Sequence, residues 1–398
     1  MQAGQVLDRL LRKICPDMHK LRRTALFVNV MAGLHGAVLT VTHLGRAISS
    51  DAKEKHCIKR ADRLLSNRRL QRERLDVYSA LTRQLNRKQA TPGAPGRLVR
   101  YGRMQTSFPI AGLGPGGGSG ADRVRRGAYR TKEKPKTHQR FLQTLQKMLP
   151  PDCRPIVVSD AGFRTPWFKE VEALGWDWVG RIRNRHQVQL CGEAAWIPCK
   201  RLYDKATSTP RALGQARLTQ NNPITCRLVL YKGKPKGRVH LNRFGQASRS
   251  SHNRKHAQSQ REPWLLGTSL PEGFKHAEKV VKLYALRMKI EEAFRDVKST
   301  RFGLSLELHR TYQVERLQNL LLIATLALMV AWLMGKATEL TGQHRHYQAN
   351  TVRNRVVLST IFVGLKVIDD PRLTLRLADL LAALRCLDQL IQNHCLSE

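Results

Sequence analysis

The run Arg154-Pro-Ile-Val-Val-Ser-Asp160 constrains the fold more than any other stretch. Consecutive apolar residues, opened by proline and closed by an acid, fit a strand buried on both faces. An amphipathic helix precedes it, Lys136 to Leu149, stopped by Pro150-Pro151. After the turn Ala161-Gly162-Phe163 come a second helix, Trp167 to Leu174, and a second strand, Trp176 to Arg183. Helices alternating with buried strands predict an α/β domain. Such sheets place functional groups at the C-terminal ends of their strands, so Asp160 is the first candidate.

The remaining chain divides around this nucleus. Residues 1–90 read as helical, with Val6–Cys15 and Leu21–His35 the clearest helices. Val41–Arg46 followed by Cys57–Leu70 has the pattern of a helix-turn-helix. Its second helix and approach would present Lys55, His56, Lys59, Arg60 and Arg63 to a DNA groove. Residues 91–130 are rich in Gly and Arg and have the composition of a flexible basic linker. The α/β core is expected over 131–185 and again over 263–336, separated by a β-rich insertion at 186–262. A helical region follows over 337–398. Within the insertion Cys226–Tyr231 is the clearest strand, and Glu262–Thr268 reads as a strand returning to the main sheet. Leu320–Gly335 is strongly apolar but falls short of the roughly 20 residues that span a bilayer, so it reads as a buried helix.

Seventy Lys and Arg against 30 acids give a formal charge of +40. An excess of that size, spread along the chain, is the footprint of a nucleic-acid binder. A membrane-surface protein would concentrate its charge beside an apolar anchor, and none is visible. The eight cysteines lack CxxC pairs, which argues against a zinc site and for reduced thiols. The N-terminus lacks the apolar core of a signal peptide.

Tyr284-Ala-Leu-Arg-Met-Lys-Ile-Glu-Glu-Ala-Phe-Arg-Asp-Val-Lys298 carries the densest chemistry. Its spacing predicts one helix running from Glu278 to Lys298. With Tyr284 at 0°, Arg287 falls at about 300°, Glu291 at about 340° and Lys298 at about 320°. Leu283, Leu286, Ile290, Ala293, Phe294 and Val297 fill the adjoining arc and would pack on a core. A carboxylate flanked by cations on such a helix suits metal-assisted chemistry at phosphate, although a solvated face of ion pairs has the same pattern.

The spacing Tyr284-x2-Arg287-x3-Glu291-x6-Lys298 resembles the signature of the insertion sequence 4 family of bacterial DDE transposases. Asp62-Arg-Leu-Leu-Ser-Asn-Arg68, Val158-Ser-Asp-Ala-Gly-Phe163 and Ala349-Asn-Thr-Val-Arg-Asn-Arg-Val-Val-Leu-Ser-Thr360 are similar to the insertion sequence 10 group within it. The likeness covers nearly the whole chain except 92–130. It implies a ribonuclease H-like core with three metal-binding carboxylates, Asp, Asp and Glu, around Mg²⁺, which Mn²⁺ can replace. Asp160 matches the second Asp and Glu291 the Glu, so both would be catalytic and metal-binding. Tyr284, Arg287 and Lys298 would hold DNA phosphates, and Trp264 would stack an extruded base or, equally, serve as a core aromatic of the returning strand. The implied partners are double-stranded DNA, as transposon ends and target, and a second copy of the chain in the synaptic complex. The implied location is the bacterial cytoplasm, at the nucleoid.

One requirement of the family is unmet. Its first Asp stands in a Val-Asp-Trp-Ser-Asp-like strand upstream of Asp160, and this sequence has no such run. Between Ala90 and Thr131 the sole acid is Asp122, in a Gly/Arg-rich context unfit for a central strand. A reading-frame slip accounts for this. One codon choice for Gly96 to Gly102, GGT-CGA-CTG-GTC-CGA-TAT-GGA, read one nucleotide later gives Val-Asp-Trp-Ser-Asp-Met. The same shift across Phe108–Arg130 permits an alternating apolar sequence fit for paired strands. The sequence thus predicts a cut-and-paste transposase by descent, impaired in strand cleavage for want of its first Asp. The alternative is a decayed copy that acts only as a sequence-specific DNA-binding protein.

Overall fold

The computed structural model describes residues 2–86, 135–151, 153–183, 186–233, 246, 250–251, 262–352 and 355–392. Asp122 and the whole of 92–130 therefore lie outside the described residues. The chain forms two compact units, one of Met1–Cys153 with Met288–Glu398 and one of Arg154–Arg287.

The first unit is helical. Its N-terminal helices are α1 (Ala3–Ile14), α2 (Lys20–Gly36), α3 (Val41–Arg46), α4 (Glu54–Leu65) and α5 (Arg68–Asn86), with α6 (Pro135–Met148) following. The expected helix Cys57–Leu70 is two helices, because the chain turns at Ser66-Asn67. There Asn67 Oδ1 accepts the Leu70 amide at 2.9 Å, capping α5. Later helices of this unit are α9 (Arg287–Lys298), α10 (Val314–Leu340), α11 (Thr360–Ile368) and α12 (Leu377–Gln392).

The axis of this unit is α10, buried almost throughout from Asn319 to Thr338. At 27 residues it is longer than the apolar run indicated, and it is long and apolar enough to cross a membrane. Most of its apolar length is instead covered by protein, with α2, α4, α5, α11 and α12 packed around it. A helix apolar on all sides requires such burial.

The second unit is built on one seven-stranded sheet. Its strands are β1 (Ile156–Ser159), β2 (Asp177–Ile182), β3 (Gln187–Leu190), β4 (Ile197–Pro198), β5 (Arg211–Leu218), β6 (Ile224–Tyr231) and β7 (Trp264–Thr268). Their order is β1-β2-β7-β6-β5-β3-β4. β1 and β2 are parallel, joined through α7 (Thr165–Ala173), and the other pairs are antiparallel. The β-rich segment is thus continuous with the main sheet: β7 lies between β2 and β6, pairing Gly180 with Gly267 and Val229 with Leu266. On one face of β2, Trp178 stacks on Phe168 of α7, with centroids 4.0 Å apart. Side chains alternate across a strand, so Arg181 stands on the other face. Helix α8 (His276–Ala285) packs across β1, β2, β7, β6 and β5.

The predicted helix Glu278–Lys298 is not continuous. Helix α8 ends at Ala285 and α9 starts at Arg287, with Leu286 between them at φ −61° and ψ −25°. The Leu286 amide reaches back three residues to the Leu283 carbonyl at 3.1 Å, a 3₁₀-type tightening. No Gly or Pro marks the site, so side-chain periodicity could not reveal it. The wheel angles hold within each helix but do not carry across the break.

Candidate nucleic-acid and phosphate-chemistry sites

In the helical unit, α3 and α4 cross at contact distance. A Cβ on Gly45 would lie 2.4 Å from Ile58 Cα, so only glycine admits this approach. The buried face of α4 carries Cys57, Ala61, Leu64 and Leu65. Its outer face carries Lys55, His56, Lys59, Arg60 and Arg63, all exposed. Both acids of α4 are engaged: Glu54 accepts from Arg46 Nε at 2.7 Å, and Asp62 from Arg316 Nη2 at 2.5 Å. The outward charge of the helix is therefore positive, as a groove-facing helix requires. Arg60 and Arg63 also border a cleft that His19, Arg22 and Asn67 complete.

The block Asp62–Arg68 is the joint that fixes this surface to the core. Arg316 of α10 also donates to Ser66 Oγ, and the buried Asn319 donates to the Leu65 carbonyl at 2.9 Å. Arg74 Nη1 donates to Gln318 Oε1 at 2.5 Å, and Arg22 of α2 pairs with Glu73 of α5. Bonds from α10 to α4 and α5 hold the basic helix rigidly, which lowers the ordering cost of binding.

In the sheet unit, Asp160 follows the last residue of β1 and is exposed. Its Oδ1 accepts the Gly162 amide at 2.9 Å, an Asx turn that aims the carboxylate from the strand's C-terminal end. Nearby, Trp167 of α7 donates through Nε1 to Ser159 Oγ at 2.8 Å and anchors the strand end.

Tyr284, on α8, is only 2 % exposed and packs edge-on against Trp264, with centroids 4.9 Å apart. Trp264 is half-buried at the start of β7 and meets Tyr231 at 5.8 Å on another side. The Arg287 guanidinium lies 5.6 Å from the Tyr284 ring centroid, a cation–π contact. Burial pushes the Tyr284 phenol up, while Arg287 and Arg181 pull it down and Asp160 adds to the rise. Asp160, Arg181 and Arg287 thus all act electrostatically on Tyr284. Arg181 is the member that sequence reasoning missed. Its signal was an arginine among Trp178, Val179 and Ile182 of a strand whose other charged residue, Asp177, stands at its start. Next to it, Arg183 Nε donates to Glu262 Oε2 at 2.6 Å, and this pairing raises the Arg183 pKa further.

Lys298 ends α9 half-exposed, its Nζ 5.7 Å from the Phe294 ring centroid. The side chain of Glu291, also on α9, lies outside the described part of the structure. Of the residues expected to pack this helix pair, Leu283 and Val297 are buried, while Leu286 and Phe294 are half-exposed. Among the described residues no group of three His, Cys, Asp or Glu side chains could hold a metal ion. Asp160 alone does not constitute a divalent-cation cage, which needs several oxygen ligands.

A protein-family model described as the transposase DDE domain matches residues 127–330, just over half of the chain. The match takes in Asp160, Trp264, Tyr284, Arg287, Glu291 and Lys298, and not the N-terminal helices. No curated protein matches the sequence.

Proposed function

Because this chain belongs to the DDE transposase family, we propose that it descends from the cut-and-paste transposase of a bacterial insertion sequence, of the insertion sequence 4 family and its insertion sequence 10 group. Members of the DDE family cut and join DNA with divalent metal ions held by clustered carboxylates in a ribonuclease H-like core. The N-terminal helices bind the transposon ends through Lys55, Lys59, Arg60 and Arg63 of α4. Asp160 and Glu291 are the second and third carboxylates, and Mg²⁺ is their cation. Arg287 and Lys298 hold backbone phosphates, with Tyr284 supporting Arg287 through its ring. Trp264 stacks a base freed from the duplex, and two copies of the chain act together on paired ends.

The observation that carries the reading is Asp160, aimed by its Asx turn from the end of β1 and within electrostatic reach of Tyr284. The first Asp has no counterpart in the sequence, so the carboxylate set is incomplete and strand cleavage by this chain is impaired. A pair of compensating frame slips, near 92–96 and near 130, accounts for the loss. The family match starts at residue 127, downstream of the stretch where the missing Asp would stand. Sequencing the encoding DNA across codons 90–131 tests it. An open Val-Asp-Trp-Ser-Asp frame one nucleotide away is expected, and its absence overturns the frameshift.

The missing carboxylate also favours a second reading, a chain that binds transposon ends without cutting them. End binding with no nicked product in Mg²⁺ distinguishes it from an active enzyme.

A further inference from the structure

Immediately after α9 the chain folds back on that helix. Ser299 Oγ accepts the amides of Arg301 and Phe302 at 3.3 and 3.0 Å, and the Leu304 amide donates to the Asp296 carbonyl at 3.1 Å. A Cβ on Gly303 would fall 1.5 Å from the Asp296 carbonyl oxygen, so the return is possible only with glycine. This return holds Phe302 at the surface, 42 % exposed. There the Arg301 guanidinium lies 5.0 Å from the Phe302 ring centroid, and Phe302 meets Phe362 of α11 edge-on at 5.3 Å. Lys366, one turn on along α11, stands 5.6 Å from the Phe362 centroid. The result is a row of cation, ring, ring and cation: Arg301, Phe302, Phe362, Lys366. The acids nearest in sequence to Lys366 are engaged elsewhere, Asp369 with His35 and Asp370 with Arg372 and Tyr347.

We propose that this row is a second nucleic-acid contact, a platform for an unpaired DNA strand, with Phe302 stacking a base and Arg301 and Lys366 meeting the flanking phosphates. Aromatic rings interleaved with cations are what a single strand selects, because every base has a π face and every linkage a charge. A duplex, its bases already stacked on one another, gains nothing from Phe302. The platform begins three residues after Lys298, at the same end of α9, so a strand held at Lys298 is within reach of the row. The inference rests on the DNA-processing reading above.

The test measures binding of the full chain to fluorescein-labelled oligo(dT) and, separately, to a blunt duplex of transposon-end sequence. Phe302→Leu keeps apolar bulk and removes the ring, and is expected to weaken oligo(dT) about tenfold. Duplex affinity should stay within about twofold, since the basic residues of α4 are untouched. Phe302→Trp should restore the strand affinity, and Lys366→Ala should lower its salt slope by about 0.7. The proposal is overturned if Phe302→Leu leaves oligo(dT) binding unchanged, as it would on a protein-docking surface. It is also overturned if strand and duplex weaken equally. If the parent ignores the end duplex while oligo(dT) binding still follows Phe302, the transposase reading fails and the platform stands.

Discussion

Replacing Gly45 with alanine tests how the basic helix α4 is held against α3. The added Cβ would stand 2.4 Å from Ile58 Cα and 2.7 Å from both Ile58 N and Cγ1. Carbon atoms sit comfortably at about 3.5–4.0 Å, so α4 must retreat by roughly 1 Å. Two of the close atoms are backbone, and a rotamer change relieves only the third. Retreat also pulls against Asp62–Arg316 and the Asn319 bond to the Leu65 carbonyl. We therefore place the cost at the upper end of the overpacking range, about 3 kcal/mol. For a unit of this size that lowers Tm by roughly 6–12 °C. Gly4→Ala is the control, because its Cβ would meet only side-chain atoms, Phe27 at 3.6 Å and Met31 at 3.9 Å. It should hold or raise Tm, since alanine is about 1 kcal/mol better than glycine inside a helix. Circular-dichroism melts and end-duplex binding read both variants. A Gly45→Ala protein that melts within about 1 °C of the parent and binds duplex unchanged refutes the tight α3–α4 crossing.

Two more predictions follow from charge. If Arg63 meets a phosphate, Arg63→Ala weakens duplex binding across all sequences and reduces the slope of log K against log salt by about 1; a loss confined to one base pair marks a base contact instead. Burial raises the Asp296 carboxyl to about 6. Its unfolded value is about 3.9, so between pH 4 and 6 the folded state holds more protons than the unfolded one. The stabilising contribution is fully present below pH 4 and lost as pH rises through 6. Asp296→Asn should flatten that slope and exceed the parent's stability at pH 7.5, as urea midpoints at pH 4.5 and 7.5 would record. A parent whose midpoint rises across this window contradicts the assignment.

Much of the architecture was legible in the sequence because side-chain period and punctuation coincide there. The Ile156–Ser159 strand, the turn behind Asp160 and the helix from Thr165 all announce themselves through apolar runs, glycine and proline. The break at Leu286 did not, because Leu is a good helix former and the tightening is a backbone event with no residue to mark it. Tyr284 was assigned to a polar stripe by its position on the wheel, yet Trp264 and the sheet bury it. That burial depends on strand order, which periodicity does not encode. The influence of Arg181 on Tyr284 was hidden for the same reason, because it depends on the pairing of β2 with β7 and the packing of α8. The Asp62–Arg68 block stood out as a motif, but its role as the joint to α10 required the bonds of Arg316 and Asn319.

We propose that the chain retains the DNA-binding helices, Asp160 and Glu291 of a transposase and lacks its first Asp. The direct measurement is Mg²⁺-dependent cleavage of duplex carrying the cognate ends, for this chain and for one with 92–130 restored to the shifted frame. The account predicts that both proteins bind the ends and only the restored one cuts them. Robust double-strand breaks by the chain as it stands, or none after restoration, would contradict it.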